Sequence, residues 1–195
     1  MDNEVRRCAA INKRAKHITT IFNSPLFYDK EKISELAKEK GVYDKYPDYY
    51  GEIPVDTLSY TISLSEEDNV LYEKPQKALA QLIGDEDCVV LGRCGNYAFK
   101  DRDDLISVFI TGDDDKRVAH IARKHGYSDR KALKIVRETD DRRSAYHKYY
   151  SGETWGLASN YHLCVNVSKL GLDGTINMIQ DYIERIKNNT GNSNI

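Results

Sequence analysis

No glycine occurs before Gly41, and the pattern G-x-x-x-x-G-K-[ST] occurs nowhere in the chain. A backbone turn that wraps a phosphate needs glycine for its strained dihedral angles and for close approach, so the opening segment supplies no such turn. No apolar run reaches the length of a membrane-spanning helix, and the polar start MDNEVRRC has no apolar signal-peptide core behind it. A soluble cytoplasmic protein is expected. Neither sign of charge dominates: 29 lysines and arginines face 31 acids, for a formal charge of -2. That balance gives no bias toward nucleic acid or an anionic membrane, and neither is an expected partner; only a local basic pocket stays open. Cysteines are few and scattered at Cys8, Cys88, Cys94 and Cys164, which fits neither a zinc set nor a disulfide framework, so no metal site is expected and reduced buried thiols are.

What is present is enough apolar residue for one core. At 195 residues with 40% hydrophobic content, a single domain over 1–195 is expected. Ile11, Ala15, Ile18 and Phe22 have helical spacing over Ala9 to Phe22, ended by Asn23-Ser24-Pro25. Asp29 to Lys40 reads as a second helix, with Asp29 as cap and Gly41 as terminator. From Val42 to Tyr60, Pro47, Gly51 and Pro54 break any period, and a mobile excursion is expected. Glu73 to Leu82 reads as a further helix.

Three short apolar runs, Cys88 to Leu91, Ile106 to Ile110 and Leu163 to Val167, read as strands of one buried parallel sheet. Helices are expected over Lys116 to Lys124 and from Ser128 to about Tyr149, divided by His125-Gly126-Tyr127, with Ser128 as cap and Ala132, Leu133, Ile135 and Val136 as a buried stripe. Ile176, Ile179, Ile183 and Ile186 line a last helix that frays after Lys187.

Two segments carry candidate chemistry. In Val90-Leu91-Gly92-Arg93-Cys94-Gly95-Asn96-Tyr97 an apolar strand ends in a glycine and an arginine. Ligands gather beyond the carboxyl ends of strands in open α/β sheets, and a guanidinium fork suits phosphate; an arginine tied to a nearby carboxylate reads equally well. In Arg137-Glu138-Thr139-Asp140-Asp141-Arg142-Arg143, Asp140, Arg143 and Tyr146 share a helix face. A carboxylate-held guanidinium there could clamp transferred phosphate; a solvated helix with self-paired charges is the alternative.

These segments, with Phe27-Tyr28-Asp29-Lys30-Glu31 before them and Trp155-Gly156 and Asn160-Tyr161-His162-Leu163-Cys164-Val165-Asn166 after them, resemble the cytidylate-kinase-like branch of the P-loop nucleoside monophosphate kinases. The resemblance runs from about Ala15 to the final helix, strongest from Cys88 onward. It implies an α/β fold, a three-layer sandwich around a parallel sheet, with a substrate-binding excursion over about 42–75 and a helical lid over about 113–160. It implies phosphoryl transfer from ATP with Mg2+ to CMP or dCMP. Arg93, with Tyr28 and Asp29 at the mouth of the acceptor site, would bind that substrate; Asp29 either orients it or only caps its helix. Arg137, Asp140 and Arg143 would close over the donor as catalytic lid residues, with Arg117 and Arg123 as further donor contacts. His162 stands where the family pattern has an acid.

The resemblance places the phosphate loop near Arg7 to Asn12, where Arg7-Cys8-Ala9-Ala10-Ile11-Asn12 stands instead, and Met1 to Val5 is too short and polar for a buried first strand. Lys13 or Lys16 would bring charge without the amide nest. Unpaired backbone groups on neighbouring strands would cost about 1–3 kcal/mol each when buried. Either the true beginning lies upstream of Met1, or a paralogue has lost the loop and repaired the gap otherwise. Impaired chemistry is expected; a nucleotide-binding pseudoenzyme, or an interaction module using the tyrosines of Tyr43 to Tyr60, is the alternative.

Overall fold

A computed structural model describes residues 26–51, 69–85 and 87–191. The expected helix over Ala9 to Phe22, the loop position at Arg7 to Asn12, Lys13, Lys16 and the excursion from 52 to 60 lie outside the described residues.

Strand β1 is Leu26–Tyr28, followed by helix α1, Lys30–Glu39. Asp29 caps α1 by accepting from the Lys32 amide at 3.0 Å, and Gly41 then adopts a positive φ of 67°, as the sequence predicts. A 3-10 turn, Tyr43–Lys45, leads into the short helix α2, Pro47–Gly51. This corrects the expectation of a mobile excursion over its described part: Tyr49 and Tyr50 are 1% and 0% exposed, among the most buried side chains. Proline at the first helical position starts the element, and five residues are too few to show a helical period. The same burial removes these two rings from the contact surface that tyrosine abundance suggested.

Helix α3, Asn69–Ile83, begins before the expected Glu73 and runs through Pro75. Strand β2 (Cys88–Val90), the short helix α4 (Gly95–Ala98) and strand β3 (Val108–Thr111) follow. Helices α5 (Asp114–His125) and α6 (Asp129–Ser151) form an antiparallel hairpin closed by Ala132 and Val136 against Ile121. Ser128 accepts from the Lys131 amide at 3.4 Å, so Ser128→Ala should cost about 1 kcal/mol in urea unfolding followed by circular dichroism. Strand β4 (Leu163–Asn166) runs straight into α7 (Val167–Gly191), which is interrupted at Gly171, φ 69° and ψ 177°. Ile176 and Ile179 are buried, as expected, whereas the helix continues past Lys187, where fraying was expected.

The strands pair in parallel as two separate couples, β1 with β2 (Leu26↔Cys88, Tyr28↔Val90) and β3 with β4 (Val108↔Leu163, Thr111↔Asn166). The described residues therefore form a mostly helical α/β structure with short parallel strands, and the expected single sheet is not formed among them. Apolar runs specify strand identity; which edges meet depends on distant residues that no local pattern encodes. The main core lies under β1 and β2, where Ile33, Ala37, Leu79, Tyr49, Tyr50, Tyr146 and Tyr150 pack together.

Candidate functional site

β1 and β2 end side by side, since the Leu91 amide donates to the Tyr28 carbonyl at 2.8 Å. Past that point Gly92, Arg93 and Cys94 all take positive φ, at 76°, 56° and 52°. A left-handed conformation costs a non-glycine residue about 1–2 kcal/mol, so two successive ones need compensation. It comes from the Arg93 side chain, which this turn directs into the protein.

The sequence places Arg93 where it would project into an open cleft; the structure corrects this. Arg93 is 2% exposed. Its Nη1 donates to the Tyr49 carbonyl at 2.5 Å and the Tyr146 hydroxyl at 3.4 Å, and its Nη2 to the Tyr50 carbonyl at 2.6 Å. The Tyr49 hydroxyl donates back to the Arg93 carbonyl at 2.6 Å, and the Tyr146 hydroxyl to the Tyr49 carbonyl at 2.9 Å. One guanidinium thus ties the end of β2, the C-terminal carbonyls of α2 and the C-terminal part of α6. Stacked Tyr49 and Tyr146 rings, with Tyr150 edge-on to Tyr49 at 5.0 Å, enclose it. Burial pushes the Tyr49 and Tyr146 hydroxyls well above the usual tyrosine range against the opposing pull of Arg93, so both stay neutral donors.

Tyr28 is buried in the core beneath these bonds. Asp29 fills the capping role of the two the sequence left open.

On the hairpin, Arg117 forks between Asp114 at 2.9 Å and Asp140 at 2.8 Å, its side chain 12% exposed. Asp140 thus holds Arg117 across the hairpin, a partner that helical spacing did not name. Arg143 is half-buried; Arg137 and Arg123 are exposed and make no ion pair among the described residues. The Arg93 and Arg117 groupings both lean on α6, at Tyr146 and Asp140, about 9 Å apart along its axis.

Sequence reasoning missed a third grouping, at the ends of β3 and β4. Asp113 accepts from Asn166 Nδ2 at 2.8 Å and pairs with Lys169 Nζ at 2.9 Å, while its amide donates to Ser168 Oγ at 2.9 Å. The Asn166 hydrogen bond first, then Lys169, hold the Asp113 carboxyl below its usual range. The strand-end rule points to these residues when applied to every strand instead of β2 alone.

His147 was also missed. It is 4% exposed, with Nε2 at 3.7 Å from Glu153, which accepts from Asn96 Nδ2 at 3.2 Å. Burial lowers its pKa to about 4. A neutral buried histidine contributes stability that is complete above the unfolded value near 6.5 and falls away as pH drops toward 4. The Glu153 carboxylate offsets part of this, so the loss should be on the order of 2 kcal/mol, read by urea unfolding at pH 7 and pH 4.5 and flattened in His147→Gln. His162, in place of an acid, fills an acceptor role that a carboxylate could also fill: its Nδ1 accepts from the Ser107 amide at 3.2 Å.

Among the described residues no helix is long and apolar enough to cross a membrane, and no group of three His, Cys, Asp or Glu is placed to hold a metal. The family model described as the cytidylate kinase-like family matches residues 24–169. No curated protein matches the chain. Among solved structures, the crystal structure of an uncharacterized protein from Eubacterium ventriosum ATCC 27560 is similar, with TM-score 0.63 and 26% identity over 89% of this chain and 91% of the other.

Proposed function

Because the chain belongs to the cytidylate kinase-like family, we propose that it binds a nucleoside monophosphate, CMP or dCMP, beyond the carboxyl ends of β1 and β2. The observation that carries this reading is the registered pairing of those strands, which brings Asp29 and the Gly92-Arg93-Cys94 turn out of the sheet together, where ligands of open α/β sheets gather.

Arg93 is the proposed partner of the phosphate, reached by exchange. A phosphate adds full opposite charge and a bidentate fit to a guanidinium that now meets only neutral carbonyls, so the anion would take the guanidinium from the Tyr49 and Tyr50 carbonyls as α2 shifts. Tyr50 O would keep the Ser34 hydroxyl, at 2.7 Å, and Tyr49 O the Tyr146 hydroxyl. Tyr28 supports this mouth from below and Asp29 fixes the start of α1.

For ATP with Mg2+ the residues fit poorly. Arg117, Arg137 and Arg143, with Asp140 holding Arg117, offer cations to a polyphosphate, but the sequence has no glycine-rich phosphate loop. Monophosphate binding is therefore the principal activity we assign, with slow phosphoryl transfer.

The test incubates purified protein with ATP, Mg2+ and each of CMP, dCMP, UMP, AMP and GMP. Diphosphate should form from the cytidine nucleotides at less than about 0.1 per second, against roughly 1–100 per second for kinases. Turnover in the ordinary kinase range would refute slow transfer; a thermal shift with none of the five at millimolar concentration would refute the binding reading as well.

A further inference from the structure

From Lys116 to Arg137 the chain holds eight lysines and arginines against one acid, Asp129, a formal charge of +7 in a protein whose total is -2. This is the distal part of the α5–α6 hairpin; over the whole hairpin, Asp114 to Ser151, eleven lysines and arginines face six acids, an excess that the near-neutral total of the chain hides. Elsewhere the described arginines are engaged: Arg93 with carbonyls, Arg102 with Asp104 at 2.8 Å, Arg185 with Asp181 at 2.9 Å. Arg123, Arg130 and Arg137 are exposed on the hairpin and make no ion pair among the described residues.

The cations cluster at the distal end. Arg117 and Asp140 mark the inner part of the hairpin, and Arg123, Lys124, Arg130, Lys131 and Lys134, the last in an exposed pair with Glu138 at 3.6 Å, lie about 9 Å or more beyond that pair. Between the two sets sit His125 and Tyr127, rings 5.4 Å apart and nearly parallel, with Lys131 Nζ 3.6 Å from the Tyr127 centroid. His120 is held below its ordinary value, by burial first and then by the nearby Lys124, Arg123 and His125.

The geometry points to the distal end of this hairpin as a docking surface for single-stranded nucleic acid. A phosphodiester chain supplies repeated anions matching cations spread over two helix ends and a turn, and a flexible strand can follow that end, a phosphate drawing Lys131 off the Tyr127 ring so that a base takes its place there. A lipid surface fits less well, since the large apolar side chains exposed among the described residues, Leu157, Leu170 and Met178, all lie off the hairpin and leave no anchor to insert. A single nucleotide is too small to use cations spread this widely.

The test measures fluorescence anisotropy of a labelled 12-nucleotide oligouridylate with the full chain. Neutralising about four phosphates, binding should weaken roughly 50-fold between 50 and 200 mM salt. Arg123→Glu/Arg130→Glu, both exposed, should weaken it at least tenfold with an unchanged melting temperature, and Tyr127→Ala severalfold, while Tyr127→Ala leaves inorganic polyphosphate binding unchanged. Oligonucleotide affinity that survives the double charge reversal overturns the surface. Affinity equal for a duplex of the same length or for anionic vesicles, affinity indifferent to Tyr127→Ala, or complete displacement by equimolar ATP overturns the single-strand assignment.

Discussion

Arg93→Ala should lose about 4 kcal/mol of stability and melt roughly 8–16 °C lower. Two effects add. The guanidinium's bonds to Tyr49, Tyr50 and Tyr146 disappear, each worth about 1.5–3 kcal/mol for a charged donor before the cost of desolvating it is subtracted. Truncation also leaves a cavity among the Tyr49, Tyr146 and Tyr150 rings. Arg93→Met separates them: it fills the space, and both carbonyls retain another donor, so about half the loss should be recovered. Tyr49→Phe removes the return bond to the Arg93 carbonyl and should cost about 1 kcal/mol, with Arg93→Ala costing less in that background because the two share one network. Urea unfolding of the wild type and these four variants checks this; an Arg93→Ala protein within 1 kcal/mol of wild type would show that the guanidinium ties nothing together.

Gly156→Ala should cost about 3 kcal/mol, although it adds one methyl group. Gly156 has φ +76°, and a Cβ there would stand 2.8 Å from Phe109 Cζ, a distance that forces movement. Phe109 has little room to yield, being edge-on to Trp155 at 5.4 Å and tilted against Tyr161 at 5.0 Å. Gly126 supplies the control: it has φ +66° with open space around its missing Cβ, so Gly126→Ala should cost only the backbone strain, about 1 kcal/mol. The difference between the two substitutions isolates the ring contact. Equal losses would mean that the loop carrying Trp155 and Gly156 does not press on β3.

The hairpin was legible because its signals are local: Ser128 caps, Gly126 divides the helices at φ +66°, and Ala132 and Val136 face the core. The same holds for Asp29 and α1. The pairing of the described strands as two couples was not legible, because parallel partners are brought together by long crossovers. The turn at Arg93 and Cys94 was hidden for another reason: non-glycine residues rarely take positive φ, and only the bonds made by the Arg93 side chain explain why these two do. Asp140 illustrates the same limit, since helical spacing relates it only to residues of its own helix and gives no sign of Arg117 on the neighbouring one. Local charge was readable from Lys116 to Arg137, but the total of -2 obscured it.

Calorimetric titration of CMP into the wild-type protein and into folded Arg93→Met tests the nucleotide reading most directly. One CMP should bind per chain, and the variant should bind at least about 30-fold more weakly, a difference of about 2 kcal/mol. Equal affinity in the two proteins, or no binding to the wild type at millimolar CMP, would contradict it.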